Sequence, residues 1–381
     1  MRTMKRVAAV ALSVVVLMTS GVSAKAAVAD VQPAKSSSEA VLKWAKKVGE
    51  PFDEKTYANN TVSKIKLVGN YLYVADDAKH RIMKIDKKDG TILKEQKYYD
   101  ESYIQGYVSS IGYGDGKVYV GYDNGRVQAF DENTLESLWI TDENKNAINA
   151  DFVFTNGKLY FGTTAKTTDW YDNGAPFSYY VVTTSDDDKT KPDEEKTMKK
   201  VVESKTGKFY SKKGVVLGKY IVISDTAGTL TMIDTTNDKV TDTKDIGEAF
   251  SGNITYDEMT GTIYFVAGTN DLYGIKVSAD GKLKDEKKVR LYETGYSATT
   301  PEVYNGKVYV SGSKGKAFQD KGYMAVADVS SDKYKVNYTV ELSNYSQCEP
   351  TIVKTGENSV RVYFTINDEP GGIYAIEDSK D

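Results

Sequence analysis

The chain of 381 residues holds one histidine, His80, and one cysteine, Cys348. His80 sits between Lys79 and Arg81, in a turn between two apolar runs. A histidine there reads as an exposed turn residue, and no nucleophile motif accompanies it to make a triad. Cys348 has no partner for an intramolecular disulfide and reads as a buried, inert thiol. Zinc sites built from His and Cys need more ligands than these two. The acids Asp186-Asp187-Asp188 and Asp193-Glu194-Glu195 lack the alternate ligands and turn glycine of a calcium loop, so they read as a solvated hairpin tip. The glycine- and lysine-rich stretch from Gly312 to Lys321 precedes no helix and is no phosphate loop. A carboxylate pair for glycoside cleavage needs only Asp and Glu, but no strand end shows one. No catalytic residue, metal site or cofactor is therefore assigned.

Binding chemistry remains. The chain has 29 tyrosines, side chains with a large apolar face and a polar tip. Tyr57, Tyr103, Tyr107, Tyr210, Phe250, Tyr296 and Tyr345 fall between apolar runs, several beside small polar residues, as in Tyr107-Val108-Ser109-Ser110 and Tyr345-Ser346-Gln347. Brought together, they form a face for a protein, peptide or glycan. The competing reading is that they pack between neighbouring sheets.

The elements that must position these residues repeat. Gly116-Lys117-Val118-Tyr119-Val120-Gly121 is a turn and an apolar strand; Arg126 to Asp131 and Leu138-Trp139-Ile140 supply two more strands. The strand core recurs seven times, centred on Tyr73, Tyr119, Tyr160, Val222, Tyr264, Tyr309 and Tyr363, at spacings of 46, 41, 62, 42, 45 and 54. Four spacings lie near the roughly 40–50 residues of a propeller blade, and the two long ones hold insertions. Short β-branched and aromatic runs punctuated by Gly, Asp and Asn are strands and hairpins. A four-stranded sheet cannot bury both faces alone, and stacking sheets around an axis solves that. The fold expected is all-β: a seven-bladed β-propeller of four-stranded antiparallel sheets, spanning residues 39–381 as one domain.

Its closure is expected to come from the N-terminus. Ala40-Val41-Leu42-Lys43-Trp44 has the pattern of a fourth strand with no blade before it, whereas the last copy has strands at 360–365 and 372–377 and no fourth. Strand 40–47 is expected to complete that blade and remove an exposed edge.

Residues 1–24 have the form of a secretory signal: Arg2, Lys5 and Arg6, an apolar run from Val7 to Met18, and Val22-Ser23-Ala24, with Ala24-Lys25-Ala26 close by. Residues 25–38 read as a flexible leader. The mature chain is then exported to the cell surface, periplasm or medium, with no second apolar span and no membrane crossing. Losing three basic residues takes the net charge from −4 to −7. That is the wrong sign for phosphate backbones, so nucleic acid is not a partner. A monomer is expected.

Gln128-Ala129-Phe130-Asp131-Glu132-Asn133-Thr134-Leu135-Glu136-Ser137-Leu138-Trp139 resembles the "A-L-D-x-x-T-G-x-x-L-W" run of the quinoprotein-like (PQQ-like) β-propeller repeats. Lys84 to Gly90 and Tyr374 to Glu377 resemble it more weakly, and the resemblance extends over about residues 40–381. It implies the propeller fold. Catalytic members of that family are quinone-dependent alcohol and sugar dehydrogenases, several of which hold the quinone beside a disulfide of neighbouring cysteines with a bound calcium. Other members are non-catalytic, including a bacterial outer-membrane assembly scaffold. With one cysteine and three tryptophans, Trp44, Trp139 and Trp170, the expectation here is the non-catalytic branch, a secreted or envelope-associated binding module. The alternative is a dehydrogenase dependent on PQQ and calcium.

Overall fold

The computed structural model describes residues 65–379, apart from 77–78, 100–109, 167–175, 188–194, 206, 210–211, 251, 269, 294–296, 316–320, 347–348, 358 and 367–371, together with residues 45, 48 and 63. The signal, the leader, most of the expected closing strand, Trp44, Trp170 and Cys348 lie outside the described residues.

Among the described residues there are seven β-sheets and no helix. The first sheet is β1 (Lys66–Val68), β2 (Tyr71–Asp76), β3 (Arg81–Asp86) and β4 (Ile92–Lys97). The second is β5 (Ser110–Gly114), β6 (Lys117–Gly121), β7 (Val127–Asp131) and β8 (Ser137–Thr141). The third is β9 (Val153–Thr155), β10 (Lys158–Gly162), β11 (Phe177–Thr183) and β13 (Lys199–Ser204). Its excursion supplies β12 (Glu195–Lys196), which joins β8 of the second sheet instead. The fourth and fifth are β14 (Val215–Leu217), β15 (Tyr220–Ser224), β16 (Thr229–Asp234), β17 (Lys239–Asp245), and β18 (Thr255–Asp257), β19 (Thr262–Ala267), β20 (Asp271–Val277), β21 (Leu283–Arg290). The sixth holds β22 (Ser297–Ala298), β23 (Glu302–Tyr304), β24 (Lys307–Ser313), β25 (Gly322–Asp328) and β26 (Lys335–Leu342). The seventh has three strands, β27 (Thr351–Lys354), β28 (Ser359–Ile366) and β29 (Gly372–Ser379).

Local chemistry sets the hairpins. Asp115-Gly116, Asn156-Gly157 and Asn305-Gly306 join first to second strands with positive φ at both residues, from 48° to 73°. That is the backbone of a type I′ turn, which matches strand twist and favours this residue pairing. Third and fourth strands slip register at the same place in five sheets, beside Ile85, Phe130, Ile233, Lys276 and Ala327, and two residues earlier in the third sheet, beside Tyr180. A bulge there increases twist, so the outer strand splays from the inner ones.

The strand period of two explains how the sheets stack. In Val118-Tyr119-Val120 the valines face the first sheet, packing with Tyr73, Ala75 and Ile82, while Tyr119 faces the third, packing with Leu159 and Phe161. The same division recurs, so each core layer lies between consecutive sheets, ending with Tyr309, Met324 and Val326 against Val360 and Val362. Inner strands touch in succession, β1 on β5, β5 on β9, β9 on β14, β18 on β23 and β23 on β27. This is radial stacking, with outer strands such as β21 exposing charge.

The expected hairpin tip differs from the structure at its C-terminal end. Asp186 and Asp187 are exposed, but Glu195 is paired with Arg126 at 2.7 Å because β12 carries it onto the second sheet.

Candidate functional site

An antiparallel meander puts the links between sheets at the same end as its second-to-third-strand hairpins. Those links define the face on which the aromatic set was expected. Tyr57, Tyr103, Tyr107, Tyr210 and Tyr296 lie outside the described residues. Phe250 is 6% exposed and packs on Phe265, with ring centroids 4.5 Å apart. Tyr345 is half-buried in the link from the sixth to the seventh sheet, its N–H donating to Asn344 Oδ1 at 2.8 Å. The two belong to different junctions and are not brought together.

The described part of this face is built from polar residues. Lys212, in the link from the third to the fourth sheet, donates through Nζ to the carbonyls of Gly252 (2.7 Å) and Phe250 (3.4 Å) in the next link. The neighbouring Lys213 N–H donates to Asn253 Oδ1 at 3.0 Å. Asn253 N–H in turn donates to Thr300 Oγ1, one link further on, at 3.1 Å. Gly252 lets these links close: a Cβ there would stand 2.6 Å from Thr300 N. Thr299 Oγ1 lies 3.1 Å from Ser311 Oγ, which lies 3.0 Å from Ser346 Oγ in the last link. A polar arc, buried at Lys212, Thr299, Ser311 and Ser346 and open at Lys213, thus joins four successive links. Burial pushes the Lys212 ammonium down to about 8, against the pull of Asp225. Asp225 Oδ1 also accepts the N–H groups of Ala227, Gly228 and Thr229, and its Oδ2 accepts Ser204 Oγ.

Sequence reading missed this arc. Its members are Lys, Asn, Ser and Thr in loops, the commonest surface types, and only their packing distinguishes them. The one visible signal was the small polar residue beside each aromatic, as at Tyr345-Ser346.

His80 occupies a hairpin turn with φ of 51°, its carbonyl accepting Tyr98 N–H at 2.9 Å. Among the described residues no three of His, Cys, Asp and Glu are grouped to hold a metal ion. Trp139 is 1% exposed, tilted against Tyr119 at 5.7 Å with Lys196 Nζ over its ring at 4.8 Å. It is engaged between sheets and offers no face to a quinone.

No protein-family model matches the sequence, and no curated protein is similar to it. Solved structures are similar in fold. BamB from Moraxella catarrhalis superposes with a TM-score of 0.52 at 13% identity, over 81% of this chain and 82% of BamB. A quinohemoprotein alcohol dehydrogenase from Comamonas testosteroni gives 0.52 at 11% identity, over 80% of this chain. Another, from Pseudomonas putida HK5, gives 0.53 at 11% identity, also over 80% of this chain. The chain spans 62% of the length of each dehydrogenase. These likenesses and the radial stacking give the chain the fold of the PQQ-like β-propellers.

Proposed function

We propose that this protein is a non-catalytic, exported β-propeller that binds a protein, peptide or glycan on the face formed by its sheet-to-sheet links. The observation that carries this reading is the arc from Lys212 to Ser346. It fixes four links to one another, and apart from Lys212, whose Nζ donates to the Gly252 and Phe250 carbonyls, its side-chain groups are amides and hydroxyls. A face whose loops are tied together before a partner arrives loses little freedom on binding. The expected tyrosines, including Tyr107, Tyr296 and Tyr345, would supply the contact area above it. The ring is read as seven blades, the last completed by strand 40–47, and the mature chain as starting at Lys25 or Val28.

The mature protein, immobilised and exposed to envelope extract and to a glycan array, is expected to retain a partner. The triple variant Tyr107→Ala, Tyr296→Ala, Tyr345→Ala is expected to release it while keeping its circular dichroism. The dehydrogenase reading is tested in parallel by adding PQQ and calcium and following dye reduction with primary alcohols and aldoses. Turnover there, or a partner held equally by the triple variant, would sink the proposal.

A further inference from the structure

Among the described residues β12 is the one strand that leaves its own sheet. It pairs in parallel with β8, Glu195 opposite Ile140 and Lys196 opposite Thr141. The attachment is elaborate for two residues. Asp142 N–H donates to Lys196 O at 2.9 Å, and Met198 N–H to Asp142 Oδ1 at 3.1 Å. Arg126 Nη1 donates to both Thr141 O (2.8 Å) and Glu195 Oε1 (2.7 Å). Lys196 is 2% exposed, and its Nζ donates to Thr183 O (2.6 Å), Thr183 Oγ1 (3.0 Å) and Ser185 O (2.5 Å) above the Trp139 ring. A buried ammonium is costly to desolvate, and three acceptors with a ring face are what offset it here.

The strand that β12 covers explains the arrangement. An outer strand presents unpaired N–H and C=O groups to any other extended chain, and charged side chains are the usual protection. Five of the six fourth strands carry such charge: β4 (ILKEQK), β13 (KKVVES), β17 (KVTDTKD), β21 (LKDEKKVR) and β26 (KVNYTVEL). The sixth, β8 (SLWIT), has none. Pairing a charged edge with another chain crowds or desolvates its charged side chains, whereas two β8 edges meet without that cost. We propose that β12 is a guard strand, which pairs with Ile140 and Thr141 at the C-terminal end of the one uncharged outer edge and keeps that edge from pairing with β8 of a second copy of this chain.

Two variants loosen the guard without touching β8. Glu195→Lys replaces the Arg126 ion pair with repulsion. Lys196→Met keeps an apolar stem against Trp139 but gives up three hydrogen bonds. Sedimentation velocity over a concentration series of the mature chain should show folded dimers for either variant where the parent is monomeric. The dimer dissociation constant should fall at least about tenfold, a change of about 1.4 kcal/mol. Adding Ser137→Lys, a charge at the exposed N-terminal end of the same edge, should return the monomer. A variant that keeps the native circular dichroism yet stays monomeric at every concentration overturns the proposal, as does a dimer that Ser137→Lys leaves intact. Each variant decides the question alone, so the loss of folding in one leaves the other as the test.

Discussion

Tyr160 Oη donates to Asp238 Oδ1 at 2.6 Å, across the junction between the third and fourth sheets. Lys158, two residues earlier and on the same side of β10, reaches the same oxygen at 2.7 Å, and Lys199 reaches Oδ2 at 3.1 Å. The pattern recurs between the sixth and seventh sheets, where Lys307 (2.9 Å) and Tyr309 (2.5 Å) converge on Asp378 Oδ2. Between the first and second, Tyr73 Oη donates to Glu132 O at 2.7 Å. In these three sheets the central tyrosine of the second strand is thus an apolar filler between sheets and a polar tie to the next one, whereas Tyr119 Oη donates within its own sheet, to Gly114 O at 3.1 Å.

Removing the acceptor should therefore cost more than a surface ion pair. Asp238→Ala removes the shared charged acceptor and leaves Lys158 and Tyr160 only the Thr235 carbonyl, at 2.9 and 3.5 Å, a loss of about 1–3 kcal/mol. Asp238→Asn should cost less, since its amide oxygen still accepts from Tyr160. Burial raises the Asp238 carboxyl, but bonds from Lys158, Tyr160 and Lys199 outweigh it and hold the group below its usual range; Asp378 behaves alike through Tyr309 and Lys307. A carboxylate depressed in the fold stabilises it above the unfolded value, about 3.9, and that stability is lost as pH falls through the folded value. Urea unfolding at pH 7 and pH 3 checks this: the variants should differ from the parent clearly at pH 7 and much less at pH 3.

Alkaline behaviour has two opposed parts. Lys212 is depressed to about 8 by burial, so between pH 8 and about 10.5 the unfolded chain binds the proton that the folded chain does not, and stability rises with pH. Tyr119, Tyr160, Tyr179, Tyr309 and Tyr323 are raised, foremost by burial, and Tyr113 is raised to about 12. A phenol raised in the fold ionises first when unfolded, so above about pH 10 stability falls. Melting temperature should climb gently from pH 8 to 9.5 and collapse beyond 10.5, with tyrosinate absorbance appearing together with loss of β-sheet dichroism. Lys212→Met should remove the climb and leave the collapse. A climb that persists in this variant would assign it to another group.

Gly252 makes a prediction about the link face. Its Cβ position is crowded by the backbone of Thr299 and Thr300, which cannot swing aside as a side chain can. Gly252→Ala should part the two links at a cost of about 1–3 kcal/mol. Partner binding on this face should weaken beyond what thermal stability alone accounts for. Gly116→Asn, at a type I′ turn position with open space around it but a φ of 69°, should lower stability modestly through backbone strain and leave partner binding unchanged.

The repeat was legible because tertiary packing here is written locally. Every Val-Tyr-Val run spends alternate residues on two neighbouring sheets, and the Asp-Gly and Asn-Gly pairs mark the hairpins. Lys117-Val118-Tyr119, Lys158-Leu159-Tyr160 and Lys307-Val308-Tyr309 even advertise the ties between sheets. What they bind was not legible, because Asp238 follows its strand at a different offset from Asp378. Glu195 and Lys196 look like any charged loop until β12 crosses to the second sheet. Lys212 is an ordinary lysine in sequence; its depressed ammonium comes from chain folded over it from a distance.

Closure of the ring is the remaining expectation with a direct test. The seventh sheet has three strands where each other sheet has at least four, and β29 has no partner beyond β28 among the described residues. Val48 packs with Val74, Met83 and Ile85 on the side of the first sheet turned away from the second. That is the side a last blade would face, so the chain just after the expected strand is already in position. If Val41, Leu42 and Trp44 form the missing fourth strand against β29, burying Leu42 and Trp44 contributes several kcal/mol at about 25 cal/mol per Å² of apolar surface. Net stabilities of domains are about 5–15 kcal/mol, so this is a large share. Deleting residues 39–48 should lower the melting temperature steeply or cause aggregation through the bare edge of β29, whereas deleting 25–36 should do neither. A cysteine pair engineered at Leu42 and a β29 position should crosslink under mild oxidation in the parent background. Equal melting of both deletions, together with no crosslink at any β29 position, would mean that the ring closes through another segment.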